Sequence, residues 1–249
     1  MSFGPVGIRC PDHAGTRAKV SPARSIRQTR ARALSTGAPA TLALIAINVA
    51  VYIVTISQGG GINQPIGQLW VDGALIGALV GEGEWYRLIT AAFLHGGLFH
   101  LLVNMVSLWW IGSLVEPNLG TVRYLLVYFT AALAGSAGAL LMSGPVEPTI
   151  GASGAVYGIL GALLILEWLR TGSLAGPALT LIVLNLVITF SIPNISIGGH
   201  IGGLVGGVAA TYALSQWRYG RYRWLGPTVA VGVAVAAVVV AAVRVESYV

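Results

Sequence analysis

The run Ala40–Ile56 reads ATLALIAINVAVYIVTI and contains no charged residue. About 20 helical residues cross the hydrocarbon core of a bilayer, and this stretch comes close. Six more apolar runs follow it, near Leu98–Leu114, Val122–Met142, Gly154–Leu169, Ala178–Phe190, Ile201–Leu214 and Pro227–Val243. Several are short, but a helix can begin before its apolar run where protein shelters its lip. The fifth is the least defined in extent. Together they predict an all-α fold, a polytopic transmembrane helical bundle of seven spans.

Composition agrees. Charged residues make up 9% of the 249 and hydrophobic ones 55%, whereas a soluble domain carries about 25% charge. So few charges cannot clothe a water-facing surface, so the partner implied is the lipid bilayer. The 34 glycines would weaken soluble helices, but in a membrane small residues let backbones approach closely. One cysteine, Cys10, excludes a disulfide framework.

Residues 1–38 are polar, basic and rich in Pro, Ser and Ala, which predicts a mostly disordered tail. Half of the 14 basic residues stand there. No aromatic side chains interleave its arginines as a stacking platform for nucleic acid requires, so no nucleic-acid partner is expected. The tail is too long, and lacks a small-residue cleavage site, for a secretory signal. The first apolar run is therefore expected to stay as a span. Residues 39–216 form the expected membrane domain, and 217–249 a loop with the seventh helix. Between the first two spans, Ser57–Leu94 carries Trp70, Trp85 and Tyr86, which suit the headgroup layer. Short interfacial helices are expected from Leu69 to Val80.

Charge sets the orientation. With the N-terminus inside, the tail, Arg123, Arg170 and Arg218, Arg221 and Arg223 are cytoplasmic, twelve of the 14 basic residues. Only Arg87 and Arg244 fall outside, as the positive-inside rule expects. The expected location is the cell membrane, multi-pass, with an extracytoplasmic C-terminus.

Polar residues within the spans then become informative, because burying them in lipid is costly. Besides the boundary residues Glu116, Arg123 and Glu167, the candidates are His95, His100, Asn104, Ser153, Tyr157 and His200; Asn48 and Asn185 have no motif around them. The second, fourth and sixth spans all run from outside to inside. His100 and Asn104 begin the second, Ser153 the fourth and His200 the sixth, so all share one shallow depth below the outer face.

Ser153 lies in Gly151-Ala152-Ser153-Gly154, where glycine permits a tight turn before a helix whose free amides favour an anion. The same residues fit a small-residue packing seam. His200, in Gly198-Gly199-His200, could serve as a base near neutral pH, which a serine nucleophile needs; it equally fits a hydrogen-bonded interfacial histidine. His100 and Asn104 are four apart and share a helix face. Their N–H donors could join the Ser153 amide in an oxyanion hole, or simply join helices.

Zinc on His95, His100 and His200 has against it the absence of HExxH and of any carboxylate at that depth. No metal and no cofactor is expected. No strand–glycine loop–helix unit exists to bind a nucleotide.

These blocks resemble the rhomboid family of intramembrane serine proteases: Glu84-Trp85-Tyr86-Arg87, His95-x4-His100-x3-Asn104, Gly151-x-Ser153-Gly154 with Tyr157, and Gly199-His200-x2-Gly203. The likeness runs from about Ala40 to Leu214. It implies a rhomboid-like core of six spans plus one, with Ser153 as nucleophile and His200 as its base. It further implies that His100, Asn104 and the Ser153 amide bind the oxyanion and that Tyr157 packs against the His200 ring. Gly151, Gly154, Gly199 and His95 would support the site. Cys10-Pro11-Asp12-His13 is similar to the end of a zinc-ribbon-like segment carried by some bacterial relatives, though two ligands cannot close a zinc site.

The implied reaction is cleavage of transmembrane segments near the outer face. With no acid at that depth it would run on a dyad, with Tyr157 and glycines holding the imidazole. Ser191–Gly199 is expected to form a movable cap, and single-span or other transmembrane proteins are the expected substrates. Two other classes are a catalytically silent binder of membrane helices and a small-solute transporter. The latter would show inverted repeats or intramembrane acids, which the sequence lacks.

Overall fold

In the computed structural model, residues 2–4, 7–9, 37–59, 61–193 and 195–248 are described. The backbones of β1 (Ser2–Gly4) and β2 (Gly7–Arg9) pair antiparallel, with Ser2 opposite Arg9. The rest of the expected tail, Cys10, Asp12 and His13 included, lies outside the described residues.

From Pro39 onward the chain is helical. The elements are α1 (Pro39–Ser57), α2 (Gln68–Gly73), α3 (Gly77–Gly81), α4 (Arg87–Thr90), α5 (Leu98–Leu119), α6 (Thr121–Met142), α7 (Ser153–Thr171), α8 (Pro177–Ser191), α9 (Ile197–Gln216) and α10 (Leu225–Glu246). Six of them, α1, α5, α6, α7, α9 and α10, are long and apolar enough to cross a membrane. The remaining apolar run forms α8, with 15 residues. At 1.5 Å per residue it reaches about 22 Å, short of a hydrocarbon core of about 30 Å. The molecule is a multi-pass bundle of apolar helices, as a membrane protein requires.

Helices α6, α7 and α9 form the centre, and glycine decides how close they come. A Cβ on Gly203 or Gly207 of α9 would fall onto the backbone of Gly154 or Gly158 of α7. On the opposite face of α9, one on Gly198 or Gly202 would strike the backbone of Gly138 or Ala134 in α6. The four-residue spacing keeps each set on one helix face, so the backbones pack without intervening side chains. Below this seam the core is filled by the fully buried Tyr124, Tyr128, Leu108 and Ile159.

Two helices extend beyond their apolar runs for identifiable reasons. Helix α5 continues through Glu116, which is not a lipid-facing boundary charge but is buried. Its carboxylate accepts from Ala40 N (3.0 Å), Thr41 N (2.8 Å), Thr41 Oγ1 (2.9 Å) and Thr121 Oγ1 (2.9 Å). It thus satisfies the free amides that open α1. Helix α9 starts at Ile197, four residues before the apolar run, because Ser196 caps it by accepting from Gly199 N at 3.1 Å.

Helix α10 lies on α6 and α9 through Gly226, Ala230, Ala237 and Ala241, all buried. Its end closes the terminus of α6: Tyr248 Oη donates to Leu140 O (2.8 Å) and Ser143 O (3.1 Å), and Arg244 Nε to Leu140 O (3.1 Å). Those carbonyls have no partner within their own helix.

The loop between α1 and α5 is fastened by Arg87. Its guanidinium donates to Val71 O (2.8 Å) and Ala74 O (2.7 Å), and Glu84 lies 2.5 Å away. Hydrogen bonds from the Tyr86 hydroxyl and then from Arg87 hold the Glu84 carboxyl below the usual carboxylate range. The loop docks beside the start of α7. Leu75 and Thr149 exchange backbone bonds of 3.0 and 2.9 Å, and Gly151 N donates to Ala91 O at 2.9 Å.

Candidate active site

At the end of the bundle where α5, α7 and α9 begin, a cavity of about 750 Å³ opens. His100, Asn104, Ser153, Tyr157, Thr189 and His200 all line it. The candidates chosen for sharing one depth therefore share one space, although they come from three helices.

Ser153 is the first residue of α7. The turn before it depends on Gly151, whose φ of +125° is costly for any residue with a Cβ. Space adds a second constraint. A Cβ there would lie 2.8 Å from His100 Nε2 and 3.7 Å from Ser153 Oγ. The imidazole edge and the hydroxyl thus flank the same glycine. Gly154 plays a different part: with Gly135 and Gly199 it forms the point where α6, α7 and α9 meet, directly behind Ser153. Gly135 carries no motif and went unremarked in the sequence.

His200, buried in the first turn of α9, is held on two sides. The Tyr157 ring stacks on the imidazole at 4.1 Å between centroids and 18° between planes. The Thr189 hydroxyl stands 2.7 Å from His200 Nδ1 and 2.7 Å from the Tyr157 hydroxyl. Packing by Tyr157 and glycines is therefore supplemented by a polar partner that sequence reasoning missed. That partner is a hydroxyl from α8.

His100 accepts at Nδ1 from Gly96 N, at a long 3.4 Å, which leaves Nε2 to carry the ring proton toward Gly151. Asn104 spends one of its two amide protons on His100 O at 2.9 Å, and the other is free to serve the cavity. His95 lies behind, its ring 5.1 Å from that of His100 and edge-on. It is buried, and neither of its nitrogens has a hydrogen-bond partner among the described residues. Among those residues no three His, Cys, Asp or Glu side chains come together as a metal set would.

Cavity residues supplied by α5, α7 and α9, with a docked loop over the same end, invite comparison with known proteins. Residues 82–217 match the family model described as the Rhomboid domain. The "Rhomboid protease GluP" of Bacillus subtilis (strain 168) is 36% identical over 203 residues, which cover 79% of this chain and 39% of the relative. The "Putative rhomboid protease YdcA" of the same organism is 34% identical over 148 residues, 57% of this chain and 74% of the relative. In Arabidopsis thaliana, "Inactive RHOMBOID-like protein 8" is 33% identical over 134 residues, 51% of this chain and 38% of the relative. This chain thus spans well under half of two of these relatives and about three quarters of the other. The family model takes in the Glu84–Arg87 end of the docked loop, the turn before Ser153 and the start of α9, more than half of the chain, and the chain belongs to the rhomboid family.

Proposed function

We propose that this chain is an intramembrane serine endopeptidase that cleaves transmembrane segments of other membrane proteins by a Ser153–His200 dyad. The observation that carries the reading is the cavity shared by Ser153 at the first turn of α7 and by His200, whose ring is clamped by Tyr157. The names of GluP and YdcA as rhomboid proteases support it.

Ser153 Oγ attacks the scissile carbonyl while His200 Nε2 takes its proton. The oxyanion is received by the Ser153 amide, His100 Nε2–H and the spare Asn104 amide proton. His200 then protonates the leaving amine, and water entering the cavity hydrolyses the acyl-enzyme. The Gly151 turn sets the Ser153 hydroxyl on the same side as the His100 ring edge, one of the oxyanion donors, and such donors act where charge develops, in a site of low dielectric. Charge asymmetry supports a cytoplasmic N-terminus, an extracytoplasmic C-terminus and a cavity at the outer face. The loop after α8 contributes Ile192, Ile195 and Ser196 to the cavity wall and serves as its cap. Substrates must unwind locally to present a peptide bond, since a helix in lipid hides its backbone.

Incubation of the purified protein in liposomes with a panel of single-span substrates tests the reading. The wild type should cleave at least one, Ser153→Ala none, and chelators should change nothing. Asn104→Ala should lower kcat by about 10²–10³ with little change in KM, the usual cost of one oxyanion donor. A silent helix binder would retain substrates without cleaving any.

A further inference from the structure

Thr189 Oγ1 stands within hydrogen-bond distance of three groups: Asn185 O at 2.8 Å, Tyr157 Oη at 2.7 Å and His200 Nδ1 at 2.7 Å. A hydroxyl has one proton and two lone pairs. The Asn185 carbonyl can only accept, so that contact consumes the Thr189 proton, in the back-bond to residue i−4 common for threonine in helices. Tyr157 and His200 must therefore both donate into the Thr189 lone pairs. Tyr157 does so through its O–H and His200 through Nδ1–H. A neutral imidazole has one N–H, so Nε2 is left bare.

The opposite arrangement does not close. Were Nδ1 bare, Thr189 would have to donate to it. Thr189 Oγ1 and Asn185 O would then face each other at 2.8 Å with no proton between them. Proton counting selects one tautomer.

We infer that Thr189 is a positioning residue that fixes His200 in its Nδ1–H tautomer, with Asn185 O as the anchor of the relay and Tyr157 as its second donor. This rests on the dyad reading above, which requires a bare Nε2. When Ser153 Oγ bonds to the substrate carbonyl, its proton passes to Nε2. The resulting imidazolium keeps its Nδ1 proton on Thr189, and the Nε2 proton later leaves on the departing amine. A neutral hydroxyl thus does the orienting that a buried carboxylate would do, without placing a second charge in a membrane-embedded site, where an ionised acid is expensive. It also explains Asn185 and Tyr157 together: the first supplies the only fixed acceptor, and the second works through its hydroxyl as well as its ring.

The test is ¹⁵N NMR of imidazole-labelled protein, with the His200 signals assigned by their loss in His200→Gln, alongside steady-state kinetics. Neutral His200 in the wild type should carry its proton on Nδ1. Thr189→Val, which keeps the shape and removes the hydroxyl, should move a large share to Nε2–H and lower kcat about 10- to 100-fold, as loss of a hydrogen bond to a charged group does, with KM little changed. Thr189→Ser should keep both tautomer and rate. A wild-type proton on Nε2, or Thr189→Val with unaltered tautomer and kcat, overturns the inference. Should Thr189→Val fail to fold, the wild-type spectrum and Thr189→Ser decide alone. The tautomer is read on resting protein, so it is separable from the dyad reading, which fails instead if His200→Gln cleaves normally.

Discussion

Helices α9 and α8 both border the cavity, and they are held in opposite ways. Helix α9 lies backbone to backbone on α6 and α7, with no room for one methyl group at Gly198, Gly202, Gly203 or Gly207. Helix α8 buries only Ala178, Ile182 and Thr189 of its fifteen residues. Its fastenings are polar and sit near its ends: Glu167 Oε2 accepts from Ala178 N at 3.0 Å at one, and Thr189 holds Tyr157 and His200 near the other. The imidazole is therefore carried by a seam of backbone-to-backbone contact and oriented by a helix with few buried residues. Dispersion contacts are individually weak and collectively strong, so the first attachment resists single changes in side chains but not in backbone spacing. The second depends on a few atoms.

That contrast ranks the expected effects. Gly207→Val should be the most damaging, because its side chain would meet the Gly158 backbone and neither helix can yield. Overpacking of this kind costs about 3 kcal/mol or more, and the unfolding midpoint in mixed micelles should fall accordingly. Gly176→Ala probes the fastening at the N-terminal end of α8. A Cβ there would displace the Glu167 carboxylate, and losing a helix cap costs about 1 kcal/mol. The same unfolding assay should show that smaller drop, with α8 amides exchanging faster. Glu84→Gln should have less effect still on cleavage, since Glu84 braces the Arg87 loop and does not line the cavity. Its carboxyl titrates below the usual range, so its contribution is complete above the ordinary Glu pKa and is lost as pH falls through the lowered value. Wild type and variant should differ at neutral pH and converge in stability at strongly acidic pH. Smallest of all is Val187→Ala on the lipid-facing side of α8, expected within about 0.5 kcal/mol of wild type. A large effect there would mean that α8 is packed far more firmly than its burial indicates.

The same contrast explains what could be read from the chain. Spans are legible because hydropathy is a local property. His100, Asn104, Ser153 and His200 stand out because each opens an alternate span in an otherwise apolar setting. The glycine spacing in Gly198–Gly207 announces a close approach, although not its partners: Gly135 and Gly138 lie among alanines and look like filler. Thr189 is invisible for a sharper reason. Nothing local separates it from Thr41, Thr55, Thr130 or Thr211, and its role arises only when α8 docks beside α7 and α9. Glu116 likewise reads as a boundary charge, and Arg87 as one of the two basic residues left outside, until their partners, the opening amides of α1 and the carbonyls of Val71 and Ala74, are folded against them. The start of α9 was accessible in principle, since Ser196 three residues before Gly199 is an N-cap signal. Hydropathy alone passes over it, because Gly198 and Gly199 contribute little.

The central claim is that Ser153 is a nucleophile activated by His200. The most direct measurement is covalent labelling of the purified, lipid-embedded protein with a fluorophosphonate, with the adduct located by mass spectrometry. The account predicts a single adduct on Ser153 in the wild type, none in Ser153→Ala, and a labelling rate that collapses in His200→Ala while both variants keep the wild-type unfolding midpoint. An adduct on another residue, or cleavage of a single-span substrate by purified Ser153→Ala, would contradict it.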